Sequence, residues 1–268
     1  MNPPDRSYLF VPGDRPDRFD KALAADADAV ILDLEDAVQP QRKREAHDAV
    51  AQWLKTTDAR VFVRVNPQGT PWHEEDCRLF VGNAVRGVML PKAEDPQGVA
   101  LVARALQPGQ ELIALIETVE GHFATAAIAK VPGVTRLAFG SFDFLADAGM
   151  QRDEDLDGIR IDLVLQSRRA NLPAPIDGVS LAVNDAACME RDTRRSRQLG
   201  FGGKLCIHPG QVAPAHAGFA PLAEEIAWAH RVLAAMSKGP LGAIAVDGKL
   251  IDKPLLLRAE ALLRDAKR

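Results

Sequence analysis

Eight short apolar runs rich in β-branched residues recur along the chain: YLFVPG, AVILDLED, VFVRVN, GVMLPK, LIALIET, RLAFGSFD, DGVSLA and KLCIHP. They begin at residues 8, 29, 61, 87, 112, 136, 177 and 204, with the widest interval between the sixth and seventh. Their apolar residues run continuously and do not alternate with polar ones. That pattern marks strands buried on both faces, as in parallel sheets. Between them lie amphipathic stretches such as DRFDKALAA, KREAHDAVAQWL and PQGVALVARAL. Strand then helix, repeated eight times, predicts a closed (β/α)8 barrel, the TIM-barrel architecture. A doubly wound open sheet is the alternative, but no glycine-rich dinucleotide turn follows any of the runs, which counts against it.

The remainder of the chain constrains class more than chemistry. Its 268 residues are 47% hydrophobic and 26% charged, enough for one large α/β core. The net charge of −4 gives no electrostatic footprint for nucleic acid or anionic membrane. The clustered Arg191, Arg194, Arg195 and Arg197 read as a solvated helix face. No apolar signal core or membrane-length run is present, so a cytoplasmic location is expected. Three cysteines without paired spacing indicate neither a disulfide framework nor a zinc cluster. After the eighth run, PLAEEIAWAHRVLAAMSKG predicts a long helix stopped at Gly239-Pro240. AIAVDGKLIDKP reads as too polar and turn-rich for another core strand, and LLLRAEALLRDAKR as a last helix. The expected division is a catalytic barrel over residues 1–235 and a C-terminal helical lid or oligomerisation extension over 236–268.

Barrel enzymes assemble their active sites at the carboxyl ends of the strands. Those ends carry Pro12-Gly13-Asp14-Arg15, then Asp33, Glu35 and Asp36, then Arg64 and Asn66. Lys92, Glu117, Gly140-Ser141-Phe142-Asp143 and His208 follow. So many carboxylates at one mouth would repel one another without a positive counter-charge. A divalent cation fits that need. Glu117 and Asp143, ending adjacent strands, are the best pair for magnesium, which keeps waters and takes other ligands from substrate. The alternatives are an ion pair of Glu117 with Lys92 or Arg64, and an N-cap role for Asp143. Gly140 and Ser141 offer backbone N–H groups to a substrate carboxylate, or form a plain strand-to-helix turn. His208 precedes a proline in a turn, where a hydrogen-bonding role is as good a reading as a base. No serine or cysteine sits in a nucleophile-elbow context.

Taken together, RSYLFVPGDRPDRFDKA, LDLEDAV, VRVN, GVMLPK, ALIET, LAFGSFDF, GKLCIHP and VDGKLID resemble one family along nearly the whole chain. It is the citrate lyase beta subunit and malyl-CoA lyase branch of the aldolase/citrate lyase superfamily. The resemblance implies a barrel assembled as a homotrimer or hexamer that uses magnesium and a CoA thioester. It implies Glu117 and Asp143 as magnesium ligands, Arg64 as enolate stabiliser and Gly140 and Ser141 as part of the keto-acid cradle, with Lys92 beside them. Glu35 and Asp36 would orient Arg64 and metal-bound water. Lys21, Arg15 and Arg18 would meet the CoA phosphates. Asp252, with Asp247 as the alternative, would be the acid/base, reaching over from the lid of a neighbouring subunit.

The reaction so implied is cleavage of a 3-hydroxyacyl-CoA of the citryl-, malyl- or citramalyl-CoA type to acetyl-CoA and a keto acid. Two alternatives stand beside it. One is a citrate lyase complex subunit acting on a thioester held by an acyl-carrier partner. The other is a free-acid 4-hydroxy-2-oxo acid aldolase, whose relatives carry Glu-His where this chain has Glu35-Asp36.

Overall fold

The computed structural model describes residues 4–236 and 244–267, the latter without the side chains of Ile244 and Lys249. The chain divides into two compact units, residues 1–218 and 219–268. The first is a closed parallel barrel in the order β1-β2-β3-β4-β5-β6-β7-β8. Its strands are β1 (Ser7–Pro12), β2 (Ala29–Asp33), β3 (Val61–Arg64), β4 (Val85–Leu90), β5 (Glu111–Ile116), β6 (Val134–Phe139), β7 (Ile176–Asp177) and β8 (Gly203–Cys206). Closure comes from β1, which pairs with β2 and, from Ser7↔Lys204 to Leu9↔Cys206, with β8.

Helices α1 (Phe19–Leu23), α2 (Lys43–Leu54), α3 (His73–Asp76), α4 (Pro96–Ala105), α5 (Val119–Ile128), α6 (Ser141–Ala148), α7 (Asp157–Arg169), α8 (Ala186–Leu199) and α9 (Val212–Phe219) alternate with these strands. The wide interval before β7 holds two of them, α6 and α7. Local sequence explains several boundaries. Asp95 accepts from the N–H groups of Gln97 and Gly98 at 3.1 and 2.9 Å, with Pro96 opening α4. Asp185 caps α8 in the same way, and Gly200, at φ 104°, ends it in the left-handed conformation that glycine takes without strain.

Strand parity sorts the barrel's side chains. Leu9, Val11, Val30, Leu32, Leu112 and Ala114 face outward into the layer between barrel and helices. Tyr8, Ile31, Phe62, Met89, Ile113, Leu115 and Leu205 face inward and fill the barrel, with Phe10 and Val179 packed on top. The interior is thus a packed core and not a pore. The same parity carried one step further up each strand brings Pro12, Asp33, Arg64, Glu117 and Gly140 to the inward face at the carboxyl end.

The second unit has its own small core of Ala229, Val232, Val246, Ile251, Ala259 and Leu262. It holds α10 (Ala223–Met236), a hairpin of β9 (Ile244–Val246) and β10 (Lys249–Ile251), and α11 (Lys253–Asp265). The division thus falls at 218/219, so α10 belongs with the tail. The polar segment adds no strand to the barrel, and its residues 244–251 form this separate hairpin. Asp247 and Gly248, with φ of 52° and 74°, make the two-residue turn that a right-twisted hairpin favours. The expected helix stop at Gly239-Pro240 lies outside the described residues. No helix among the described residues is long and apolar enough to cross a membrane.

Candidate active site

The inward layer at the carboxyl end opens into a cavity of about 300 Å³. Asp33, Asp36, Arg64, Glu117, Gly140, Ser141 and Asp143 line it together with Phe10, Leu115, Val179, Leu205 and Ile207. Arg64, Glu117 and Asp143, which end three different strands in the sequence, therefore meet at one mouth.

Arg64 is held by a carboxylate that sequence reasoning left without a role. Its Nε and Nη2 donate to the two oxygens of Asp33 at 2.7 and 2.6 Å, a bidentate fork on a side chain only 8% exposed. Nη1 lies 3.1 Å from Glu35 Oε2 and 3.8 Å from Asp36 Oδ2. The guanidinium also sits over the Phe10 ring, 4.5 Å from its centroid. Burial works against its charge, but the field and hydrogen bonds of Asp33 more than offset this, so its pKa is raised. Asp33 is thus the main orienting group, Glu35 the second and the half-exposed Asp36 a distant third. The signal for Asp33 was available, since it lies two residues beyond the inward-facing Ile31.

The loop after β2 is pinned from below. Asp33 accepts from the N–H groups of Glu35 and Ala37 at 2.9 and 3.2 Å. Lys43, buried on α2, donates to the carbonyls of Leu34 and Glu35 at 2.7 and 2.8 Å. Nothing in the sequence near Lys43 marks this function, because it depends on α2 folding back under the loop.

Lys92 bridges two acids. Its Nζ donates to Glu35 Oε1 at 2.9 Å, and its backbone N–H donates to Glu117 Oε1 at 2.8 Å. The residue takes a left-handed φ of 46°, a conformation that costs a non-glycine residue on the order of 1 kcal/mol. Burial again disfavours the ammonium, and the hydrogen bond to Glu35 with the field of Glu117 raises its pKa overall. Lys92 does not line the central cavity. It acts on the site through its two carboxylate partners, not as a wall of the substrate pocket.

Glu117 is 1% exposed, and its Oε2 has no hydrogen-bond partner among the described residues. The ammonium of Lys92 stands 3.9 Å from the other oxygen, so the ion pair weighed from sequence is a loose one. Burial first, with the nearby carboxylates of Glu35 and Asp143 adding to it, pushes the Glu117 carboxyl up to about 8. Arg64 and Lys92 oppose this shift without cancelling it. Asp143 lies in the first turn of α6, whose N-cap is Gly140. Asp143 is therefore not the cap.

Gly140 contributes space and not an N–H. Its amide donates to the Ile116 carbonyl at 2.9 Å, extending the β5–β6 ladder, which corrects the expectation that it cradles a substrate carboxylate. A Cβ at this position would sit 2.5 Å from the Glu117 Cβ and 2.6 Å from its Oε2. The helix leaves the N–H groups of Ser141, Phe142 and Asp143 without intrahelical acceptors, as all helix N-termini do. The buried Ser141 Oγ also has no partner among the described residues.

A divalent cation fits this donor set: an orphaned, charge-starved buried carboxylate oxygen beside a second carboxylate in one cavity. No group of three or more His, Cys, Asp or Glu side chains that could hold a metal occurs among the described residues. A cation here would rest on Glu117 and Asp143 and complete its shell with water and substrate oxygens. His208 accepts from the Gly210 N–H at 3.0 Å, while Gln211 accepts from the N–H groups of Ile207 and His208. That makes His208 a turn cap.

Arg15, Arg18 and Lys21 line a neighbouring cavity of about 460 Å³ that shares Phe10, Pro12 and Ile207 with the first. Asp252 belongs to the second unit, where it is exposed and caps α11 by accepting from the Leu255 N–H at 3.2 Å. Asp247 is instead paired to Arg231 at 2.8 Å.

Comparison with known proteins sets this site in context. The family model described as HpcH/HpaI aldolase/citrate lyase matches residues 6–209. A citrate lyase subunit beta-like protein of Mycobacterium tuberculosis is 36% identical over 266 residues, covering 97% of this chain and 94% of its own. A (3S)-malyl-CoA thioesterase of Cereibacter sphaeroides is 32% identical over 272 residues, covering 98% and 95%. The crystal structure of the protein CitE from Mycobacterium tuberculosis in complex with magnesium, acetoacetate and coenzyme A superposes with a TM-score of 0.89 at 34% identity. It covers 100% of both chains.

Proposed function

The chain belongs to the HpcH/HpaI aldolase/citrate lyase family, and on that footing we propose that it is a magnesium-dependent carbon–carbon lyase. Its substrate would be a 3-hydroxyacyl-CoA thioester, cleaved to acetyl-CoA and a 2-oxo acid. One observation carries the reading: Glu117 Oε2 is buried and unpartnered among the described residues in the cavity that also holds Asp143 and the braced Arg64.

Glu117 and Asp143 would hold the cation. When bound, magnesium would act as a Lewis acid on the hydroxyl and carboxylate of the acid half. Arg64, two of whose N–H groups are taken by Asp33, would use the others to offset the charge that develops on the thioester oxygen as the carbon–carbon bond breaks. A preorganised donor of this kind lowers the barrier by about 3 kcal/mol. In the balance of the step the hydroxyl proton passes to water, the alcohol carbon becomes the carbonyl of the 2-oxo acid, the bonding pair becomes the enolate of acetyl-CoA, and that enolate takes one proton at carbon. Asp252 is the proposed donor of that proton, with Asp247 disfavoured by its pairing to Arg231. The amides of Ser141 to Asp143 would orient the 2-oxo acid carboxylate.

The cations Arg15, Arg18 and Lys21 around the neighbouring cavity support a free CoA thioester over one carried by a protein partner. Glu35-Asp36 in place of Glu-His disfavours the free-acid aldolase. Incubating the purified protein with malyl-, citramalyl- and citryl-CoA and magnesium tests the proposal by mass detection of products. Acetyl-CoA and a 2-oxo acid are expected, and their formation should disappear in Glu117→Ala and Asp143→Ala. Full activity and magnesium affinity in those variants would overturn the assignment. Free CoA with an intact hydroxy acid would instead establish thioester hydrolysis, the activity in the name of the Cereibacter relative.

A further inference from the structure

Resting on the lyase reading above, we propose that the hydroxylated carbon of the substrate carries hydrogen or a small apolar group and not a second carboxylate arm. The floor of the cavity is the top of the barrel's own filling, because Phe10, Leu115, Val179 and Leu205 line the one and pack into the other. Above that hydrocarbon floor stand Asp33, Asp36, Glu117 and Asp143, and Arg64 is the one basic residue among the described lining residues.

Arg64 has little left to give a second anion. Asp33 takes two of its five N–H directions, and the carboxylates of Glu35 and Asp36 stand 3.1 and 3.8 Å from Nη1, so what remains suits one developing oxyanion. The other cations near this mouth do not line the central cavity. Lys92 is bonded to Glu35, and Arg15, Arg18 and Lys21 line the cavity on the far side of Phe10 and Pro12.

Charge points the same way. Four carboxylates face one guanidinium, so even a divalent cation leaves the lining with a negative surplus. The first substrate carboxylate is served by that cation. A second would be desolvated against hydrocarbon or set beside like charge, and neither environment returns what it loses in water. A hydrogen or methyl group meets the same floor as favourable apolar burial.

Malyl-, citramalyl- and citryl-CoA differ only at this substituent, which is hydrogen, methyl and carboxymethyl in turn. The expected kcat/KM for citryl-CoA is at least about 30-fold below that for the better of the other two. A smaller ratio, or a preference for citryl-CoA, overturns the proposal. Binding of the product acids gives a readout independent of turnover. In calorimetry with magnesium present, pyruvate or glyoxylate should bind more tightly than freshly dissolved oxaloacetate, and the reverse order overturns the inference. If none of the three thioesters is cleaved, the lyase reading fails, and this binding order still decides the shape and charge of the pocket.

Discussion

At the scale of the residue, the site depends on which carboxylates carry charge and which guanidinium they aim. Asp33→Asn would keep the shape but lose the ionic half of the fork on Arg64. Loss of correct orientation at a transition-state donor is expected to lower kcat by roughly 100-fold with little change in KM, as steady-state kinetics would show. Glu117 predicts an unusual pH dependence. Its carboxyl is held at about 8 in the fold, above the ordinary 4.5 of an exposed glutamate. The folded protein without metal therefore holds a proton there that the unfolded chain has released. The contribution of this group to stability is fully present below pH 4.5 and is lost as pH rises through about 8. Melting curves of the metal-free protein should show that fall, Glu117→Gln should abolish it, and magnesium affinity should strengthen over the same range as the cation displaces the proton.

At the scale of the element, the site is a product of what packs beneath each loop. Gly140→Ala would drive a methyl into the Glu117 carboxylate, 2.6 Å from Oε2. Weaker magnesium binding and lower activity are expected, with Phe123→Ala, exposed on α5 and outside the cavity lining, as the tolerated control. Lys43→Met would strip two carbonyls of their buried donor and loosen the loop that carries Glu35. About 2 kcal/mol of destabilisation in denaturant melts is expected. The elements differ in how plainly sequence announces them. The continuous apolar runs gave away the barrel, because only parallel strands are buried on both faces. DGVSLA did not become a full strand. The β7 ladder covers only Ile176 and Asp177, and at the next residue, Gly178, a Cβ would lie 2.6 Å from Ser141 Oγ. The hairpin in the tail was legible in Asp247-Gly248 but was obscured by the polarity around it. Asp33 was legible from strand parity alone, whereas Lys43 was not, because its partners are backbone carbonyls that no residue type advertises.

At the scale of the whole molecule, the proposed proton donor, Asp252, is expected to come from the tail of a neighbouring subunit. Asp252→Asn tests this cleanly, because asparagine caps α11 as well as aspartate does. Stability should change by less than about 0.5 kcal/mol while turnover falls sharply and magnesium affinity holds. Sedimentation velocity on the intact protein is expected to give the mass of three or six chains. The barrel itself also sets an order of events during synthesis. Its first strand is paired on one side by β2 but on the other only by β8, whose partners Lys204 to Cys206 lie almost two hundred residues downstream. Until the ribosome has released that stretch, β1 presents an open edge with unsatisfied backbone groups, and the apolar layer behind it is exposed. For most of its translation the emerging chain therefore carries a strand edge open to pairing with a neighbouring chain.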